Sequence, residues 1–126
     1  MAPEKNKNIL IIDNEAPVRN VLQKMLVNNG YLAAQVSNST EGLALLQSDT
    51  FDLVITELIM PDPDGFETMR EIKTRKPDIK VIAMSGHFEH DPEDYKEVLK
   101  SCGADEVLKK PVDTEEMVER IEELLR

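Results

Sequence analysis

Acidic side chains follow two short apolar runs of this sequence, at the point where each run stops. The run Ile9–Ile12 is followed by Asp13 and Asn14, and the run Leu53–Thr56 is followed by Glu57. Runs of this length and β-branched character are typical of strands buried on both faces of a parallel sheet. Carboxylate and amide oxygens are ligands that a hard cation such as Mg²⁺ accepts. The pattern therefore predicts a cluster of oxygen ligands at the carboxyl ends of two strands.

A hydroxyl and an ammonium group follow two later apolar runs. Ser85 comes directly after Val81–Met84, and Lys110 comes shortly after Val107–Leu108. Carboxyl ends of parallel strands lie at one edge of a sheet, where these groups can bind the oxygens of a phosphoryl group. One acid at a strand end is usually a solvated loop residue. The convergence of polar groups from four strand ends favours a functional site.

Helical patterns alternate with the predicted strands and must hold these ends in position. Apolar residues at helical spacing predict five helices with the inward-facing sets Val18, Val21, Leu22, Met25 and Leu26; Leu43 and Leu46; Phe66, Met69 and Ile72; Tyr95, Val98, Leu99 and Cys102; and Met117, Val118, Ile121, Leu124 and Leu125. Turn and cap residues predict where they start: Pro17, the N-cap Ser39, a point near Phe66, Pro92 and Thr114. The first strand is predicted to begin near Asn8, and the second to lie within Tyr31–Val36. The other strands are predicted at the later apolar runs named above. This alternation predicts an α/β, doubly wound, three-layer fold with a parallel sheet.

Composition limits the functions open to such a domain. The 126 residues fit one domain, predicted over residues 8–126 after a loosely ordered lead-in at 1–7. The excess of 25 acidic over 15 basic residues disfavours direct binding to nucleic acid or to anionic membranes. A single cysteine, Cys102, excludes an internal disulfide, and neither a membrane span nor a signal peptide is visible. A cytoplasmic protein is expected.

Four segments resemble the receiver domain of two-component response regulators. They are Ile9 to Glu15, Asp52 to Gly65 with its Met60-Pro61-Asp62-x-Asp64-Gly65 signature, Ala83 to Gly86, and Gly103 to Pro111. The resemblance covers essentially the whole chain and implies a flavodoxin-like (βα)5 fold with strand order 2-1-3-4-5. It also implies a signalling module, not an enzyme, whose partner is a histidine kinase or phosphotransfer protein. An output domain or effector would bind through helix 4, strand 5 and helix 5.

The resemblance also implies roles for individual residues. Asp13 and Asn14 occupy the acidic pair that holds Mg²⁺, together with Glu57 and a backbone carbonyl near Ile59. Glu57 occupies the phosphoacceptor position. Three further positions correspond to the switch hydroxyl, the phosphate-binding lysine and the switch aromatic residue: Ser85, Lys110 and Val107 respectively. Pro111 follows a peptide bond that is often cis in the family.

Three of these positions depart from the family pattern. Glu57 replaces an aspartate and is one methylene longer, so ordinary phosphorylation should be lost or very weak. Asn14 removes one negative charge, so Mg²⁺ should bind weakly or not at all. Val107 has no ring to move between two positions. The longer Glu57 side chain is expected to form a direct ion pair with Lys110 and to draw Ser85 toward the same carboxylate.

The sequence leaves the meaning of Glu57 open. It can imitate the phosphorylated state and make the domain independent of phosphorylation, although a carboxylate carries less charge and fewer oxygens than a phosphoryl group. It can equally be an engineered activating change, or the mark of a decayed site. The alternative function is an active receiver that autophosphorylates from a histidine kinase or a small phosphodonor using Mg²⁺.

Overall fold

Strands and helices alternate throughout the computed structural model, which describes residues 7–60, 64–86 and 96–126. The strands are β1 (Asn8–Ile12), β2 (Leu32–Val36), β3 (Leu53–Glu57), β4 (Lys80–Ser85) and β5 (Glu106–Lys109). The helices are α1 (Ala16–Asn28), α2 (Ser39–Ser48), α3 (Gly65–Arg75), α4 (Lys96–Ser101) and α5 (Thr114–Leu125). The predicted alternation is confirmed.

The five strands form one parallel sheet in the order β2-β1-β3-β4-β5, which is the predicted flavodoxin-like, doubly wound arrangement. In the register between β1 and β3, Ile12 lies opposite Thr56. Asp13 and Glu57, the next residues along each strand, therefore end at the same edge. Because the chain order reverses between these two strands, a crevice opens there.

Two hydrophobic layers cover the sheet, because successive residues of each strand point to opposite faces. Ile9 and Ile11 pack with the buried side chains of α1 and α5, including Leu22 and Met117. On the other face, the buried side chains that pack with Leu10 and Ile12 include these from α2, α3 and α4: Leu46, Met69, Ile72 and Leu99. Strands buried on both faces explain why the sequence shows continuous apolar runs and no alternation.

The predicted N-cap of the second helix differs in the structure. Asn38, and not Ser39, is the N-cap of α2, because its side chain accepts a hydrogen bond from the Glu41 amide. The Ser39 hydroxyl is buried and bonds with that of Thr68 in α3. Helix α5 begins at Thr114 as predicted, with Asp113 as its N-cap.

Three predicted core residues are exposed. Val21 is 56% exposed, Phe66 36% and Val98 61%. Each lies beside the buried stripe of its helix: the buried residues of α3, for example, are Gly65, Thr68, Met69 and Ile72. One residue step rotates a helical position by about 100°, which carries Phe66 away from the sheet.

Some sequence predictions fall outside the described residues. These are the start of helix 4 at Pro92, the position of Tyr95, the stretch 61–63, and residues 1–6 of the lead-in. Lys7, predicted to be in that lead-in, accepts a hydrogen bond from the Leu32 amide through its carbonyl oxygen. No helix in the described ranges has both the length and the apolar character needed to cross a membrane.

Gly65 allows α3 to begin directly against the end of β3. Its amide donates to the Leu58 carbonyl at 3.0 Å. A Cβ atom at this position would lie 2.3 Å from the Glu57 carbonyl oxygen and 2.5 Å from Leu58 Cα. Because both are backbone atoms, no side-chain rotation could relieve the overlap. The absence of a side chain at Gly65 thus fixes the spacing between α3 and the residue that ends β3.

We expect Gly65→Ala to lower the free energy of unfolding by about 2 kcal/mol, since the backbone must shift to admit the methyl group. Urea denaturation measures the change. Gly86→Ala is the matched control, because a Cβ there would meet Lys110 Cβ at an ordinary 3.5 Å. That control should change stability by less than about 0.5 kcal/mol. Equal stability of the two variants would contradict the close approach.

Candidate functional site

The ammonium group of Lys110 lies among three carboxylates at the carboxyl edge of the sheet. Lys110 Nζ is 2.6 Å from Glu57 Oε1, 2.8 Å from Asp13 Oδ2 and 3.0 Å from Glu15 Oε1. Lys110 follows β5, whereas the acids come from the ends of β1 and β3. The predicted ion pair between Glu57 and Lys110 is confirmed.

Both oxygens of the buried Glu57 carboxylate are engaged. Oε1 contacts Lys110, and Oε2 accepts hydrogen bonds from the amides of Leu58 at 2.7 Å and Ile59 at 3.1 Å. The side chain therefore folds back over the residues that follow it. The sequence predicted the contact with Lys110 but not the contacts with these two amides. One carboxylate thus collects an ammonium group and two backbone N–H groups.

Asp13 is fully buried, and its two oxygens differ in environment. Oδ1 accepts a hydrogen bond from the Glu15 amide at 2.8 Å, which closes the turn after β1. No hydrogen bond of good geometry reaches Oδ2 from the described residues. Its contact with Lys110, although short, is therefore an ion pair rather than an aligned hydrogen bond.

The pKa of Lys110 reflects a balance between burial and the surrounding acids. Burial alone lowers this pKa, because desolvation disfavours the charged form. Its contacts with Asp13, Glu57 and Glu15, and the attraction of the Asp13 charge, act in the opposite direction and outweigh burial. The pKa of Lys110 is consequently raised above its usual value, and the ammonium form is retained.

The other predicted site residues lie close to this cluster in the fold. Ser85 is buried at the end of β4, and its carbonyl oxygen accepts a hydrogen bond from the Lys110 amide at 2.9 Å. The Lys110–Pro111 peptide bond is cis. Val107 is buried in β5 and packs in the core beneath the site.

The groups predicted to bind a metal ion offer it few free oxygen ligands. Asn14 is exposed, and its side chain brings no charge. Asp13 Oδ2 is a buried acceptor that suits a cation, but both Glu57 oxygens already have partners. Within the described ranges, no group of three or more His, Cys, Asp or Glu side chains is arranged to hold a metal ion. In this arrangement Lys110 contacts both of the acids, Asp13 and Glu57, that were predicted to bind Mg²⁺.

Two residues near the site were not among those predicted. Glu15 contacts Lys110 because the turn closed by Asp13 carries it over the lysine. Arg19 donates from Nη1 to the Asp13 carbonyl oxygen at 2.8 Å and from Nε to Gln35 Oε1 at 2.9 Å, which ties this turn to β2. The position of Glu15 in the acidic turn after β1 was a signal that this residue could lie at the site. Nothing in the local sequence indicates the contact of Arg19 with Gln35.

Comparison with known proteins identifies the family. The model of the response regulator receiver domain family matches residues 9–122. This chain belongs to that family. Response regulator MprA of Mycolicibacterium vanbaalenii is 31% identical to this receiver domain over 118 residues, which are 94% of this chain and 50% of MprA. Transcriptional regulatory protein ZraR of Klebsiella oxytoca is 35% identical over 94% of this chain and 26% of its own length. The receiver domain thus spans half or less of these relatives.

Solved structures agree with the fold. A CheY-like receiver domain from Methanospirillum hungatei has a TM-score of 0.86 and 26% identity, covering 96% of this chain and 94% of its own. Response regulator protein TrrA of Thermotoga maritima, solved in complex with Mg²⁺-BeF, has a TM-score of 0.82 and 33% identity, covering 94% of this chain and 99% of its own. The chain is the receiver domain of a two-component response regulator.

We expect Lys110→Met to lower the free energy of unfolding by about 3 kcal/mol, because it leaves buried carboxylates without their counterion. Lys24→Met, at an exposed position of α1, is the control and should cost less than about 0.5 kcal/mol.

A raised lysine pKa stabilises the fold fully below its unfolded value of about 10.4, and this contribution is lost only as the pH rises through the folded value. The lysine's contribution should therefore be the same at about pH 7 and about pH 9. Chemical denaturation at each pH measures it, and a smaller contribution at about pH 9 than at about pH 7 would contradict the role of the cluster.

Proposed function

We propose that this receiver domain is a phosphorylation-independent signalling module in which the Glu57 carboxylate substitutes for a phosphoryl group. One observation carries the proposal: the carboxylate already binds the Lys110 ammonium group and the amides of Leu58 and Ile59. Charge-assisted donors of this kind hold anionic oxygens in proteins. By family resemblance, Lys110 is the lysine that holds the phosphoryl group, so its partner here imitates that anion.

The same contacts oppose phosphorylation of Glu57. A nucleophilic carboxylate oxygen must face the incoming phosphorus in line with the leaving group. Here Oε1 is 2.6 Å from Lys110 and Oε2 accepts two amide hydrogen bonds, so attack would require one set of contacts to break. The additional methylene also moves the nucleophile from the position that an aspartate would occupy. The active-receiver alternative is therefore not favoured.

Mg²⁺ is expected to bind this domain weakly. Asp13, Asn14, Glu57 and the carbonyl of Ile59 would hold the ion, which when bound would neutralise anionic oxygens at this edge. Asn14 brings no charge, and the ammonium group of Lys110 competes with a cation for Asp13 and Glu57. The electrostatic attraction left for the metal is correspondingly small.

Output is proposed to pass through the surface formed by α4, β5 and α5, as the family resemblance implies. Glu106 of β5 joins the three elements: its Oε1 is 3.0 Å from Lys96 Nζ of α4, and its Oε2 is 3.9 Å from Arg120 Nε of α5. Lys110 follows the same strand, so a change at the site reaches this surface through β5. A histidine kinase or phosphotransfer protein is the expected upstream partner. An output domain or effector is the expected downstream partner.

Phosphorylation chemistry supplies the first test. We expect no phosphoryl adduct on the parent domain after incubation with acetyl phosphate and Mg²⁺, whereas Glu57→Asp should gain one phosphoryl group in an intact-mass measurement. Adding Asn14→Asp to that variant should tighten Mg²⁺ binding by calorimetry and speed the gain, because it restores a charged ligand. An adduct on the parent would favour the active receiver. Failure of the double variant would indicate that the site is inactive for other reasons.

Removal of the charge at constant length supplies the second test. Glu57→Gln should shift backbone amide NMR signals beyond the neighbours of residue 57, in β5 and in the described part of α4, because Lys110 loses an anionic partner. Glu67→Gln is the matched control at an exposed position of α3 and should shift only local signals. Purely local changes in both variants would leave a passive scaffold as the better account.

A further inference from the structure

A cavity of about 520 Å³ opens between the start of α1 and the segment that joins β5 to α5. Its apolar wall contains Pro17, Val18, Val21, Leu22, Pro111 and Val112. Cavities of roughly 300–1,000 Å³ with mainly apolar walls and a few convergent polar groups are typical of small-molecule sites. The size and lining of this cavity match that description.

The polar part of the wall contains Thr114 and three charged side chains, those of Glu15, Glu57 and Lys110. The charged side chains form one patch, because Lys110 contacts both acids. Together with the buried Asp13, three carboxylates surround one ammonium group, so the cluster carries a formal charge of two negative units. The electrostatic potential at this end of the cavity therefore favours a cation.

Hydrogen-bonding capacity leads to the same preference. An ammonium group has three N–H donors, and Lys110 faces three carboxylates within 3.0 Å. The ammonium group is therefore already surrounded by anionic oxygens, which disfavours a further anion beside it. Glu57 has no free oxygen, since Oε2 accepts two amide hydrogen bonds. Glu15 differs: its side chain is 59% exposed and contacts Lys110 through Oε1 only.

We infer that this cavity binds a small organic cation, with an ammonium or amidinium head at Glu15 and an apolar body against Val18, Val21 and Val112. The head gains a charge-assisted hydrogen bond with the exposed carboxylate. The body covers Val21, which is otherwise 56% exposed. The inference goes beyond the proposed signalling role, because it rests on the cavity and on the exposed Glu15 carboxylate, although both use the contact between Lys110 and Glu57.

Three probes of similar shape test the charge preference on the intact domain: phenethylamine, phenethyl alcohol and hydrocinnamate. Titrations followed by methyl NMR signals of Val18, Val21 and Val112 give the dissociation constants. The amine should bind about tenfold more tightly than the carboxylate, with the alcohol between them. Equal affinity for amine and carboxylate, or no saturable shift with any probe, would overturn the inference.

Two substitutions on α1 test whether the amine binds in this cavity. Val21→Gln should weaken amine binding several-fold, whereas Val27→Gln should leave it unchanged. The two valines are matched, because both lie on α1 and are 56% exposed, but only Val21 lines the cavity. Circular dichroism melting should show that both variants remain folded. Equal effects of the two substitutions would contradict binding in this cavity.

Glu15→Ala tests the proposed head-group contact. The side chain of Glu15 makes no capping hydrogen bond at the start of α1, so its removal should not disturb the helix. The variant loses the exposed carboxylate and frees one Lys110 donor. Preference should therefore move from the amine toward hydrocinnamate. An unchanged preference for the amine would show that Glu15 does not hold the head group.

Discussion

The ion cluster around Lys110 is the interaction on which this end of the molecule depends. A lysine buried without partners would lose its proton or destabilise the fold, and a buried carboxylate without a counterion would take up a proton or destabilise the fold. Here the ends of β1, β3 and β5 supply groups that compensate one another. The cluster therefore requires the parallel sheet in its observed order. In return it holds three strand ends together at the edge where the helices α1 and α3 begin.

The length of the Glu57 side chain determines which groups its carboxylate contacts in this cluster. The extra methylene of Glu57 lets one oxygen reach Lys110 while the other turns back to the amides of Leu58 and Ile59. The start of α3 supports this arrangement, because Gly65 packs directly on the backbone of Glu57 and Leu58. The carboxylate, the ammonium group and the two amide donors are thus already bound to one another.

Much of this arrangement follows from the sequence, and the exceptions have physical reasons. Continuous apolar runs predicted strands buried on both faces, and parallel strands bring their carboxyl ends together, so the meeting of Asp13, Glu57 and Lys110 was predictable. The return of Glu57 Oε2 to two amides was not, because it depends on side-chain torsions that no spacing rule specifies. Val21, Phe66 and Val98 lie at the margins of helical stripes, where periodicity alone does not separate buried from exposed positions. The family resemblance assigned roles to positions, whereas the contacts of Glu15 and Arg19 emerged only from the three-dimensional arrangement.

The bridging position of Glu106 makes the surface formed by α4, β5 and α5 sensitive to ionic strength. Its ion pairs with Lys96 and Arg120 are partly exposed, with side-chain exposures of 25% for Lys96 and 29% for Arg120. Such pairs contribute only about 0–1 kcal/mol each, and salt weakens them further. The link between α4 and α5 is therefore loose compared with the buried cluster around Lys110. Rising salt concentration should therefore weaken this link more than it weakens the buried contact between Glu57 and Lys110.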